Sequence, residues 1–151
     1  MVKRGLSLAI LFVLTLAFST PWARSQQEEA RTPAYNPAPP AKNAKLPPIL
    51  SKDQLWGSNA QYPVQTHGYE VAAKIPNVLH QLPCYCYCDR MGHKSLRSCF
   101  ENTHGAQCST CLKEVYYAYD QTQRGKTPKQ IREGIIKGEW QKVDLQTAAA
   151  Q

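Results

Sequence analysis

Apolar residues recur at helical spacing along the second half of the chain, and the most regular stretch begins near Gln107. The positions that share one face lie three, four, seven, eleven and fourteen residues after the first, in the series Cys108, Cys111, Leu112, Val115, Tyr119 and Thr122. Gly125 is typical of the residue that ends such a helix. The pattern therefore predicts a long helix that carries two cysteines on its inward face.

A second helix is predicted directly after this one. The segment Thr127–Gln130 has the spacing of a capping box, with proline at the first helical position. Ile131, Ile135 and Ile136 then face inward, and Gly138 stops the helix. Because the connection between the two helices is short, we expect them to be antiparallel neighbours.

Shorter helices are predicted nearer the middle of the chain. One or two helices that end before Pro83 would bury the apolar residues Val71, Ile75, Val78, Leu79 and Leu82. Pro76 suits a first helical position. Ser95 can cap a further short helix with an apolar face, formed by Leu96, Cys99 and Phe100. Together these elements predict a mainly α fold, with one small helical domain over residues 52–140.

The N-terminal end of the chain has the features of a secretory signal peptide over residues 1–25. Lys3 and Arg4 supply a positive start, and the apolar run Leu6–Phe18 is too short for a comfortable membrane span. Cleavage is expected before Gln26. No cysteine directly follows the apolar run, so we expect no acyl anchor there, and no other segment is apolar enough to span a bilayer. We expect an exported protein, periplasmic or extracellular.

Two stretches beside the predicted domain lack a core pattern. Residues 26–51 hold six prolines among alanine, asparagine and lysine. Such a segment buries too little apolar surface to offset its chain entropy, so we expect a disordered, extended spacer. Residues 141–151 are expected to form a disordered tail.

The charge of the chain gives little indication of a partner. Its formal net charge is +7, and three basic residues belong to the predicted signal peptide, which leaves 7 − 3 = +4 for the mature protein. The basic residues are dispersed and are not interleaved with stacking aromatic residues, so no nucleic-acid partner is predicted. The sequence leaves the partner unknown and is compatible with another exported protein.

Six cysteines lie within 28 residues, and the chain has no others. They occur at Cys84, Cys86, Cys88, Cys99, Cys108 and Cys111, and two histidines, His93 and His104, lie between them. A domain of this size has a marginal core unless disulfides or a metal add stability. The cysteines are therefore expected to organise the fold, whatever else they do.

The two cysteine-rich motifs are expected to meet in space. If the run from Cys84 to Cys88 is extended, its three sulfurs lie on one face, with same-face residues about 6.6 Å apart. Pairing within the run would then be strained, because disulfides rarely join Cα atoms more than about 6.8 Å apart. Cys108 and Cys111 form a C-x-x-C pair at a helix start, where the dipole and free amides lower the pKa of a thiol.

Three interpretations of the cysteines stay open. In an oxidising compartment they can form disulfides, for which six cysteines allow 15 pairings. They can bind a soft metal, copper(I) or zinc. They can also act as a thiol–disulfide oxidoreductase through the C-x-x-C pair, although no catalytic residue is predicted. The candidate metal ligands are Cys84, Cys86, Cys88, Cys99, Cys108, Cys111, His93 and His104.

A resemblance to a known family supports the cysteine-rich interpretation. The segments Pro83–Cys88, Gly92–Leu96, Cys99–Phe100 and Cys108–Cys111 are similar to the bacterial PCYCGC-motif family, over about Ile75 to Trp140. The resemblance implies an exported domain, often a lipoprotein, in a family whose function is uncharacterised. This chain has Tyr87 where the motif has glycine. Our leading hypothesis is the binding of copper, ahead of zinc, for handling or delivery.

Overall fold

The computed structural model describes residues 32–150, which form helices and turns without a strand. The α-helices are α1 (Pro63–Lys74), α2 (Pro76–Leu79), α3 (Ser109–Gln123), α4 (Pro128–Ile136) and α5 (Leu145–Ala148). Six 3₁₀ turns connect them, at Lys52–Gln54, Gly57–Asn59, Cys88–Met91, Leu96–Phe100, Thr103–Gln107 and Glu139–Lys142. The predicted mainly α fold is confirmed. The predicted signal peptide lies outside the described residues.

None of the helices within residues 32–150 is sufficiently long and apolar to cross a membrane.

Helix α3 is the central element of the core. It begins one residue after Cys108, which is its N-cap, and it buries Leu112, Val115 and Ala118. Helix α1 packs closely against it, because a Cβ atom at Gly68 would lie 2.8 Å from Leu112 Cδ2. The glycine therefore permits an approach that a larger residue would prevent. This packing fixes the helix whose first turn carries the C-x-x-C pair.

Helix α4 begins as the capping-box pattern predicts. The Thr127 hydroxyl accepts a hydrogen bond from the Gln130 backbone, and the Gln130 side chain accepts one from the Thr127 backbone at 2.9 Å. Pro128 occupies the first turn. Ile131 and Ile135 are fully buried. The side chains that cap the helix and those that anchor it are therefore the ones that the sequence indicated.

The predicted helix after Ser95 is a 3₁₀ turn rather than an α-helix. Ser95 precedes it in extended conformation but makes no side-chain capping bond. Leu96 and Phe100 are fully buried, as the pattern indicated, and the Leu96 backbone N–H donates to the carbonyl of Leu82 at 2.8 Å. The turn thus joins the segment that follows Pro83 to the core.

The structure differs from the expected spacer over the described residues 32–51. The Asn36 side chain donates to the carbonyl of His80 at 3.0 Å, and the Leu50 backbone donates to the carbonyl of Phe100 at 2.9 Å. The many prolines restrict the conformations of this segment in the unfolded chain, so less conformational entropy is lost when the segment packs against the domain. Composition indicated an extended chain but could not reveal these contacts.

The C-terminal stretch differs from its expectation in the same way. Asp144 caps helix α5 by accepting a hydrogen bond from the Gln146 backbone at 3.0 Å. Ala148 is buried against the domain. One turn of helix is too short to show a periodic pattern, so no sequence signal predicts it.

We predict that Gly134→Ala destabilises the domain. A Cβ atom at this position of α4 would overlap the hydroxyl of Tyr117, which donates to Glu139 at 2.5 Å. The helices must separate or the hydrogen bond must break, and overpacking of this kind costs about 1–3 kcal/mol. Urea unfolding followed by circular dichroism measures the loss.

The matched control is Glu133→Ala, on the exposed side of the same helix. It should change the free energy of unfolding by less than about 0.5 kcal/mol, as is usual for surface substitutions. Equal stabilities of the Gly134→Ala and Glu133→Ala proteins would contradict the close packing of α4 against Tyr117.

Candidate metal centre

The run from Cys84 to Cys88 turns rather than extends. The Tyr87 backbone donates to the carbonyl of Cys84 at 3.0 Å, and Tyr87 itself has φ 57° and ψ 35°. The Cα atoms of Cys86 and Cys88 are consequently 5.6 Å apart, and their sulfurs lie at disulfide distance. The expectation that this run would avoid internal pairing is wrong, because it assumed an extended backbone.

The turn brings the first cysteines of the run against the start of α3. The sulfur of Cys111 lies 3.5 Å from that of Cys84 and 3.5 Å from that of Cys86. The sulfurs of Cys84 and Cys86 are 3.3 Å apart. Three sulfurs from two separate segments therefore form a nearly equilateral triangle.

The 3₁₀ turns between these segments add Cys99 and His104 to the cluster. Cys99 Sγ lies 3.8 Å from Cys88 Sγ. His104 Nε2 lies 2.9 Å from Cys88 Sγ and 3.9 Å from Cys86 Sγ. The Asn102 side chain fixes the turn that holds His104, because it accepts a hydrogen bond from the His104 backbone at 2.8 Å.

The donor atoms form two overlapping groups, in each of which all atoms lie within 4.8 Å of one another. The inner group consists of Cys84, Cys86, Cys88, Cys99 and Cys111. The outer group consists of Cys86, His104, Cys108 and Cys111. Within residues 32–150, His93 is a member of neither group, although its Nδ1 lies 3.3 Å from Cys99 Sγ. The predicted meeting of the two cysteine motifs is confirmed.

The two groups differ in burial. Cys84, Cys88, Cys99 and Cys111 are at most 4% exposed. Cys86, Cys108 and His104 are partly exposed. The centre therefore has a buried interior and one side that is open to solvent.

Hydrogen bonds among the thiols separate their protonation states. The hydrogen bond with Cys111 lowers the pKa of Cys84 to about 3, with a further contribution from Cys99. The hydrogen bond with Cys111 also lowers the pKa of Cys108, to about 6, although burial acts to raise it. The pKa of Cys111 is raised, because the neighbouring sulfurs of Cys108, Cys84 and Cys99, together with burial, favour its protonated form. The expectation of a lowered pKa thus describes only the first cysteine of the C-x-x-C pair.

The sequence analysis missed Glu114, a fully buried carboxyl group beside the centre. Its Oε1 accepts a hydrogen bond from the Tyr85 backbone at 2.8 Å and so holds the cysteine run against α3. Burial and the negative charge at Cys84 raise the pKa of Glu114 well above its usual value. Its position three residues after Cys111, on the same helix face, was the available signal.

The cysteines are not all used as disulfides. Cys86 and Cys88 form the one pair at disulfide distance among the described residues. Cys84, Cys99, Cys108 and Cys111 are free thiols. A framework made only of disulfides therefore does not describe the centre, since four convergent sulfurs are unpaired.

A family model described as a protein of unknown function with PCYCGC motif matches residues 43–142. The matched span includes all six cysteines and both candidate histidines. No curated protein and no solved structure matches the chain. The comparison therefore supports the cysteine motif as the common feature of the family and assigns it no activity.

We predict that Glu114→Ala destabilises the reduced protein by about 1–3 kcal/mol, because the Tyr85 backbone N–H loses this buried acceptor. Glu114→Gln retains a carbonyl oxygen at the same place. It should stay within about 1 kcal/mol of the parent protein. Urea unfolding under reducing conditions compares the variants, and equal losses for alanine and glutamine would contradict the proposed anchoring role.

Proposed function

The chain belongs to the family of proteins with the PCYCGC motif, and we propose that its cysteine cluster binds a soft transition metal, copper(I) ahead of zinc. The observation that carries the proposal is the convergence of five sulfurs within 4.8 Å. These sulfurs come from a turn, two 3₁₀ helices and the start of α3, so the fold itself brings them together.

The spacing of the sulfurs suits a metal. A tetrahedral ion with metal–sulfur bonds of about 2.3 Å has sulfur–sulfur edges of about 3.8 Å. The triangle of Cys84, Cys86 and Cys111 has edges of 3.3–3.5 Å, and the contact of Cys88 with Cys99 is 3.8 Å. Small outward shifts of these side chains would therefore complete a coordination sphere.

The chemistry of the donors favours soft ions. The inner group consists of thiols alone and the outer group of thiols and one imidazole, and neither group contains a carboxylate. Thiolates favour copper(I) and zinc, whereas calcium and magnesium need oxygen ligands. The thiol pKa values of about 3 for Cys84 and about 6 for Cys108 support ligation, because the thiolate is the metal-binding form.

The proposed role is metal handling or delivery in an exported compartment. Partly exposed Cys86, Cys108 and His104 give an ion a route between solvent and the buried sulfurs. The proposal that the protein is exported rests only on the sequence of residues 1–25, with its basic start and short apolar run. Copper(I) and zinc both remain candidates for the cargo, and ligand softness places copper first.

The pair formed by Cys86 and Cys88 makes metal binding depend on the redox state. A sulfur in a disulfide is not a thiolate, so the bonded pair removes two of the inner ligands. Reduction by a dithiol breaks the bond between Cys86 and Cys88, adds two electrons and two protons, and closes the dithiol as its own disulfide. The full ligand set exists only after this step.

We predict that the fully reduced protein binds copper(I) or zinc, and that mild oxidation lowers the affinity at least tenfold. The loss of a group that only orients a ligand costs about 10–100-fold, and the loss of two ligands should cost no less. Anaerobic competition with a chromophoric chelator measures the affinity. Thiol counting should give six free thiols in the reduced protein and four in the oxidised one.

Reduction of the oxidised sample should restore the affinity, which serves as the control for irreversible damage. Equal affinity in both states, or no metal uptake by the reduced protein, would contradict the proposal.

A thiol–disulfide oxidoreductase is the rival function, because Cys108 is partly exposed with a pKa of about 6 while Cys111 is buried. Turnover of a glutathione–peptide mixed disulfide without metal uptake would support this rival.

A further inference from the structure

We propose that the centre holds two soft metal ions, bridged by the sulfurs of Cys86 and Cys111. This inference rests on the proposed metal binding and specifies its stoichiometry. Cys86 and Cys111 are the two residues that the inner and outer groups share. A thiolate has lone pairs for two ions, so a shared sulfur can belong to both coordination spheres.

One ion cannot use all of these donors. Two ligands of a single ion with bonds of about 2.3 Å are at most about 4.6 Å apart. The donor atoms within each group lie within 4.8 Å of one another, but the donors of the two groups together do not, although His104 Nε2 lies 2.9 Å from Cys88 Sγ. The eight candidate ligands also outnumber the four positions of a tetrahedral ion.

Two ions that share two bridging sulfurs would bind nearly all the donor atoms of the two groups. The outer ion would take Cys86 and Cys111 as bridges, and His104 and Cys108 would fill its remaining positions. The inner ion would share the same bridges and take two more sulfurs from the rest of the inner group, which consists of Cys84, Cys88 and Cys99. This arrangement satisfies two tetrahedral ions and leaves one sulfur of the two groups over.

The burial of the ligands gives the two ions different accessibility. The unshared outer ligands, Cys108 and His104, are both partly exposed. The unshared inner ligands are all at most 4% exposed. The outer ion should therefore exchange with solvent chelators before the inner one. A metal-delivery protein would release its cargo from the outer position.

The test is the metal count of the fully reduced full chain by native mass spectrometry. Zinc or copper(I) is added in excess without oxygen, and a competing chelator then removes adventitious ions. The proposal requires two ions per chain. One ion per chain would overturn the bridged pair and leave the proposed function intact, whereas none would overturn both.

A double variant assigns the outer ion. His104→Gln with Cys108→Ser removes both unshared outer ligands and should lower the count from two ions to one. Serine is a favoured N-cap residue, so the change at Cys108 preserves the start of α3. If the double variant loses its helical circular dichroism, Cys108→Ser alone replaces it. It should show the outer ion leaving to chelator at least tenfold faster.

The matched control is His67→Gln, which removes a histidine that contacts Tyr116, outside both groups. Its count should stay at two. A count of two in the folded double variant, after the chelator wash, would overturn the assignment of the outer ion to His104 and Cys108. A count of one in the His67→Gln control would attribute the second ion to a surface histidine and would overturn the bridged pair.

Discussion

The approach of the cysteine run to the first turn of α3 is the contact on which the rest of the centre depends. The sulfur of Cys111 lies 3.5 Å from the sulfurs of both Cys84 and Cys86. Cys111 is fully buried, so solvent water cannot hydrogen-bond to its thiol. Burying several thiols together is costly unless they share protons or bind a common ion, because a buried charge needs compensation. Here Cys84 and Cys111 share a proton through their hydrogen bond, which lowers the pKa of Cys84. An ion at this point would replace that shared proton.

The surrounding fold holds this contact in place from both sides. On one side, close packing at Gly68 presses α1 against α3 and fixes the orientation of its first turn. On the other side, Glu114 accepts the hydrogen bond from the Tyr85 backbone and anchors the run. Tyr87 completes the turn with φ 57°, a backbone region that costs a residue other than glycine about 1–3 kcal/mol. The glycine of the family motif would adopt this conformation without strain, which explains its place in the motif.

Helical periodicity and capping chemistry were sufficient to predict α3 and α4, because the residues that form them act locally. The meeting of the cysteine motifs was also predicted, although that prediction assumed that the run could not pair internally, which the pair of Cys86 and Cys88 contradicts. The turn at Tyr87 was not, because an alternating run of cysteines reads as a strand until a tertiary contact bends it. Glu114 escaped notice for a related reason: a carboxylate on a helix is normally exposed, and only its partner across the core explains its burial.

X-ray absorption at the metal edge of the reduced, metal-loaded protein tests the central claim most directly, because it reports the atoms bound to the ion. For zinc, the account predicts coordination dominated by sulfur at about 2.3 Å, with no more than a minor nitrogen contribution at about 2.0–2.1 Å. A shell of oxygen or nitrogen alone would contradict it, because the ion would then be bound outside the cysteine cluster.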